Sequence, residues 1–269
     1  MKHNYKIITI LTILFLSAQF LGLFISYKYF NKPLPYDIQK PQFEEETSYV
    51  GIFTSILIVT FLAIILVKLK AENLWRIWFF LSVWFALLIS FSVFMRQEFA
   101  IVLSLIVTFF KVIKPNIIVH NLAELFIYGG LAAIFSSSLS VSSVSILLIL
   151  ISIYDMIAVW KTKHMIKLAK FQTKLKLFAG FLIPYKHKKE IKTAILGGGD
   201  IGFPLLFASA VLKSLVESNS SVLKALIIPI TTCMLLITLF IFGKKNHFYP
   251  AMPFLSIGCF LGYLIVLLI

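Results

Sequence analysis

Two carboxylates stand out by their surroundings. Asp155 lies in Ile153-Tyr154-Asp155-Met156, six residues before Lys161, and Asp200 closes Gly197-Gly198-Gly199-Asp200, eight residues after Lys192. Both fall in apolar stretches, where an ionisable group costs about 2.5–3.5 kcal/mol at the centre of a spanning helix and is therefore a functional candidate. If both stretches are helical, a rise of 1.5 Å per residue puts the acids about 9 and 12 Å from those lysines. Neighbouring antiparallel helices would then bring them to one level from opposite chain directions. Two acids at one level suit hydrolysis of a peptide bond. They share one proton and hold one water; the ionised member acts as general base on the water and the protonated member polarises the scissile carbonyl. A third intramembrane acid, Glu124, follows His120 by one helical turn, a spacing that suits a hydrogen bond between packed helices.

The residues around these acids fit a tight, irregular site. Gly197, Gly198 and Gly199 carry no side chains that would hold a neighbouring helix or a substrate backbone away. Pro204 has no N–H to give the carbonyl of Asp200, which loosens the helix there. Further on, His247-Phe248-Tyr249-Pro250-Ala251-Met252-Pro253 opens another apolar run with two prolines, so its first turn is expected to be barely helical, with Pro250 or Pro253 at its start. The five residues from Lys245 to Pro250 can carry Pro250 to the depth of the acids. Irregular backbone at that depth is tolerated inside protein or beside water, and its free main-chain groups could pair with an unwound substrate strand.

The elements that must hold these residues follow from composition. Hydrophobic residues make up 60% of 269 positions and charged ones 13%, more apolar surface than a soluble domain could bury. Lipid is the solvent for most of the chain. Runs such as Ile52 to Val67 and Ile227 to Phe242 are apolar on every side, unlike the alternating segments of a barrel, so the expected fold class is all-α: a polytopic membrane protein with nine spans. Charges, prolines and asparagines place them near 7–27, 49–67, 74–94, 98–113, 117–135, 144–160, 194–213, 224–242 and 250–268, the fourth being the shortest. The chain reads as one membrane domain over 1–269, with a loop at about 161–193 between the two aspartate helices. The first run, Ile7 to Tyr27, is longer than a signal core and lacks a small-residue cleavage site, which reads as a retained helix. Cys233 and Cys259, each alone in an apolar run, read as small buried hydrophobes.

Lys and Arg set the expected orientation. With the N-terminus inside, cytoplasmic segments hold 19 of these residues and the opposite side holds 6, together with the acidic run Glu44-Glu45-Glu46. The C-terminus is then outside. Ten of the 19 lie between Lys161 and Lys192. The net charge of +14 flanks the spans, so it points to anionic lipid and not to nucleic acid. Within Lys161 to Lys176, lysines alternate with Met165, Ile166, Leu168, Ala169, Phe171 and Leu175, the pattern of a helix lying on headgroups.

Tyr154-Asp155, Gly197-Gly198-Gly199-Asp200 and Pro250-Ala251-Met252 together resemble the YD, GxGD and PAL motifs of the presenilin and signal peptide peptidase family. Their order, spacing and nine-helix layout match as well, and the run from Tyr154 to Lys167 is most similar to the archaeal members. The resemblance implies an intramembrane aspartic endopeptidase with Asp155 and Asp200 as catalytic residues. It implies that Tyr154, the three glycines, Pro250, Ala251 and Met252 line the substrate path, that the substrates are transmembrane segments or signal-peptide remnants, and that no metal or other cofactor is used. Met252 stands where the family has Leu, a swap of similar volume. The loop of about 33 residues is too short for the segment cut during presenilin maturation, so no self-cleavage is expected. The chain has no His-Glu-x-x-His pair and no intramembrane Gly-x-Ser-Gly, which argues against metallo and serine chemistry. Prepilin peptidases also carry GxGD, usually followed by x-Lys, whereas Asp200 precedes Ile201-Gly202-Phe203-Pro204. The rival outside proteolysis is a transporter or cation leak using Glu124 and His120.

Overall fold

In hydrocarbon, backbone polar groups find partners only within a helix or a closed barrel, and the long apolar runs of this chain become helices. The computed structural model describes residues 5–41, 48–135, 139–162, 164–187, 190–243 and 249–269. Ten α-helices are present among them: α1 (Tyr5–Tyr29), α2 (Ser48–Lys68), α3 (Glu72–Phe91), α4 (Gln97–Val112), α5 (Ile117–Phe135), α6 (Val141–Met156), α7 (His164–Lys174), α8 (Gly198–Glu217), α9 (Ile227–Phe242) and α10 (Met252–Leu268). Each of the nine expected spans has its helix. Seven helical segments are long and apolar enough to cross a membrane, α10 is a shorter apolar helix, and α4 has 16 residues. The all-α, polytopic class is the observed one.

The stretch between the aspartate helices departs from expectation. It contains an antiparallel hairpin, β1 (Gly180–His187) with β2 (Glu190–Gly197), in a register that runs from Gly180 opposite Gly197 to His187 opposite Glu190. The seventh span therefore starts at Gly198 and not near 194. Ala194, Ile195 and Leu196 read as the front of a helix because a short apolar run has no period of its own. The β-branched Ile191, Thr193 and Ile195 favour the strand, and Gly197 ends it. The depth inferred for Asp200 from a helical rise after Lys192 is corrected accordingly, since a strand advances about 3.3 Å per residue.

The amphipathic helix expected near Lys161 to Lys176 is present as α7, but protein covers part of its apolar side. Phe171 meets Trp75 edge to face at 5.6 Å, and Leu168, Phe171 and Leu175 join Ala63, Trp75 and Val112 in one cluster. The acidic run 44–46, Lys163 and residues 244–248, His247 and Phe248 included, lie outside the described residues.

Helix α1 is central. It packs on α5, α8 and α9, and Leu11, Phe15, Ala18 and Ile25 are fully buried. Helix α2, by contrast, buries little of its surface and touches mainly α6 and α7. Helix α10 lies tight against α9: a Cβ on Gly258 would come within 2.6 Å of the Thr232 backbone, and Thr231 Oγ1 donates to the Gly258 carbonyl at 2.8 Å. Small residues are what allow such an approach.

Candidate active site

Helices α6, α8 and α10 pack against one another, and each carries one of the three motifs. Asp155 is in the last turn of α6, next to a π-helical turn over Ile157–Lys161. Its Oδ2 accepts the backbone N–H of Met252 at 3.2 Å, and the N–H of Ala251 also turns toward this carboxylate. Those N–H groups are free because α10 begins only at Met252, with Pro253 in its first turn and Pro250 outside it. The expected break before the last span is present and is directed at Asp155. One turn away, Ser152 and Ser256 share a 2.8 Å hydrogen bond that keeps α6 and α10 in register. The Tyr154 ring is half-buried and its hydroxyl bonds to Thr60 of α2.

Asp200 occupies the first turn of α8, and Gly197 is the residue before the helix. An acid in the first turn is favoured by the helix dipole and the free N–H groups there. The three glycines have distinct neighbours. A Cβ on Gly197 would lie 3.2 Å from Asp200 Oδ2, so Gly197 leaves room for the carboxylate itself. A Cβ on Gly198 would meet the Tyr128 hydroxyl at 3.1 Å, and one on Gly199 would make only ordinary contact with Phe203 at 3.5 Å. Pro204 is accommodated within a continuous helix. Gln19 of α1 donates to the Ile201 carbonyl at 2.8 Å, a further tie on this first turn.

Beside α8 lies a polar network that the sequence only half disclosed. Lys111 of α4 and Glu124 of α5 are each 1% exposed and meet at 2.5 Å, Nζ to Oε1. The Tyr128 hydroxyl donates to Glu124 Oε2. His120 bridges Lys111 Nζ, 3.1 Å from Nδ1, and the Gly180 carbonyl, 2.8 Å from Nε2. Asn121 bonds both the carbonyl and the N–H of Leu182, at 2.9 and 3.0 Å. His120 and Glu124 thus belong to one buried hydrogen-bonded network; the sequence offers them as a helix-packing hydrogen bond or as part of an ion path. Asn121 and Tyr128 escaped the sequence reading, and Lys111 entered it only as one of the cytoplasmic flanking charges. The signal was present as the 120/124/128 spacing, one face of a helix; the partner on α4 was not readable from that spacing. Removing one member of a buried ion pair costs about 3–5 kcal/mol.

A family model described as "Signal-peptide peptidase, presenilin aspartyl protease" matches residues 12–269. The chain belongs to this family. Two solved structures of a presenilin family intramembrane aspartate protease, in C222 and P2 space groups, are similar along their length. The first has a TM-score of 0.71 at 19% identity over 97% of this chain and 98% of that one; the second has 0.67 at 19% over 96% of each. At that identity the likeness speaks for the fold. No curated protein matches the chain. Met252 bonds Asp155 through its backbone N–H, a contact that does not depend on which side chain stands there.

Proposed function

We propose that this presenilin-family chain is an intramembrane aspartic endopeptidase whose catalytic pair is Asp155 and Asp200. The observation that carries the reading is the Asp155 to Met252 N–H bond: it joins the first and third motifs on helices that both pack against α8, which bears the second. In the proposed reaction the ionised aspartate takes a proton from water as its oxygen attacks the scissile carbonyl, and the protonated aspartate donates to the carbonyl oxygen. Collapse of the resulting diol breaks the C–N bond, and the nitrogen leaves carrying a proton from the pair. No metal or cofactor takes part. The proposed substrates are transmembrane segments or signal-peptide remnants, held by Tyr154, Gly197, Gly198, Gly199, Pro250, Ala251 and Met252.

The hairpin supports a mode of substrate capture. Asn121 holds both main-chain groups of Leu182, so Leu182 faces away from β2, and its partner Ile195 faces away from β1 by the alternation of antiparallel pairs. On β1 the outer edge is covered by α5. On β2 the outward N–H and C=O groups belong to Thr193 and Ile195, both side chains exposed, seven and five residues before Asp200. An unwound substrate strand added there would be led toward the acid.

A shared-proton mechanism needs both carboxyls. Asp155→Ala and Asp200→Ala are each expected to abolish cleavage of a helical transmembrane substrate in detergent or liposomes, with little further loss in the double variant. Thermal stability should be retained, since losing a buried acid also removes its desolvation cost. A hydroxyl-containing mimic of the diol should inhibit the wild type and bind poorly to either variant. Wild-type protein that cuts no transmembrane substrate yet conducts ions through a path sensitive to Glu124→Gln would overturn the proposal in favour of a leak.

A further inference from the structure

The turn that carries Asp200 has little to hold it from within. Three successive glycines precede the acid, α8 has no side-chain cap at its N-terminus, and a glycine backbone is the least restrained of all. Beside the Gln19 bond to the Ile201 carbonyl and the Gly198 N–H bond to the Ala179 carbonyl, a side-chain grip on the turn comes from α5. Gly198 and Gly202, one helical turn apart, leave a groove on α8 in which the Tyr128 ring lies: a Cβ on Gly198 would be 3.1 Å from its hydroxyl and one on Gly202 3.8 Å from its Cδ1. Tyr128 is also close enough to Asp200 for the two to interact electrostatically. Its hydroxyl is fixed in turn. Glu124 accepts it with Oε2 and binds Lys111 with Oε1, so both oxygens of that carboxylate are committed and its rotation is blocked. Phe79 lies 5.8 Å from the Lys111 ammonium, and His120 carries the network to the Gly180 carbonyl, opposite Gly197 in the hairpin register.

Apolar residues of similar volume would pack this place at least as stably as a buried ion pair does. What an ion pair adds is direction, and here it is directed at the helix turn bearing Asp200. We propose that Tyr128, held by the buried Lys111–Glu124 pair, is a positioning residue for Asp200, and that His120 extends the same clamp to the base of the hairpin. The proposal rests on the proteolytic reading above and assigns these residues no contact with substrate.

Tyr128→Phe removes the hydroxyl and keeps the ring. In the full-length protein in detergent it is expected to lower kcat about tenfold or more, in line with the sensitivity of reaction rates to displacements of about 1 Å, while KM stays within about twofold. Lys111→Met combined with Glu124→Met removes the acceptor together with both charges and should lower kcat to a similar extent. Lys111→Met combined with Glu124→Gln restores an acceptor without charge and should recover most of the loss. Backbone hydrogen exchange needs no substrate: in Tyr128→Phe it should rise about tenfold from Gly198 to Ile201 and stay unchanged in α9. Unchanged exchange in that turn, kcat within twofold of wild type, a rise in KM alone, or a Gln variant no better than the Met variant would each overturn the clamp. If the wild type cleaves nothing while exchange rises as expected, the proteolytic reading fails and the clamp on this turn stands.

Discussion

Gly197 shows how little separates a structural glycine from one that serves chemistry. The glycine run suggests close helix packing, yet the group nearest to a Cβ on Gly197 is the Asp200 carboxylate, 3.2 Å away. Gly197 has φ −67° and ψ 149°, a conformation open to any residue, so Gly197→Ala should fold. The added methyl should crowd the carboxylate and lower kcat by about tenfold, equivalent to roughly 1.4 kcal/mol of transition-state stabilisation. Gly199→Ala makes only van der Waals contact with Phe203; as Gly199 is assigned to the substrate path and not to the carboxylate, the change should leave kcat within about twofold and act on KM. Measuring kcat and Tm for both variants in one detergent checks the contrast. Equal losses in the two, or a Tm drop that explains the loss in Gly197→Ala, would make Gly197 a packing residue.

At the scale of elements, the hairpin is the part that changes what the helices can do. Pro184 already sits on the outward-facing alternation of β1, the same set as Gly180 and Leu182, where a missing N–H costs no ladder bond. Ile195 is the equivalent outward position on β2, and its side chain is 39% exposed. Ile195→Pro should therefore leave the β1–β2 ladder and the thermal stability near wild type. If substrate adds as a strand along β2, loss of that one N–H should raise KM about fivefold to tenfold, the size of one net hydrogen bond. Leu196→Pro breaks the ladder itself and serves as the control for a damaged hairpin. An unchanged KM in Ile195→Pro with folded protein would remove β2 from the capture route.

For the whole molecule the open quantity is orientation, and the structure adjusts its basis. Lys111, counted among the cytoplasmic charges, is buried against Glu124 and so is not a free flanking charge. The tally of 19 against 6 becomes 18 against 6, which leaves the direction unchanged because ten of those charges lie between Lys161 and Lys192. A reporter fused after Lys176 should be cytoplasmic, and one fused after Ile269 should be on the other side. Accessibility of the two reporters in intact cells measures this directly. The reverse pattern would turn the molecule over and with it the face from which water and the hairpin reach the acids.

The sequence by itself determined the spanning helices, because uninterrupted apolar length leaves the backbone no alternative in lipid. It also singled out Asp155, Asp200 and Glu124 as candidates, because an ionisable residue in such a run is costly and rare, and the late start of α10, because Pro250 and Pro253 can join a helix only in its first turn. Contacts between distant segments decided the rest. Residues 194–196 became strand because β1 lies beside them, and a short apolar run has no periodicity with which to announce that partner. Met252 became the residue bonded to Asp155 because α10 packs on α6, 97 residues away in the chain. Lys111 became a buried ion-pair partner because α4 folds back on α5 and places its ammonium on Glu124. A flanking lysine and a buried one are spelled alike, and only the packing of the helices around them distinguishes the two.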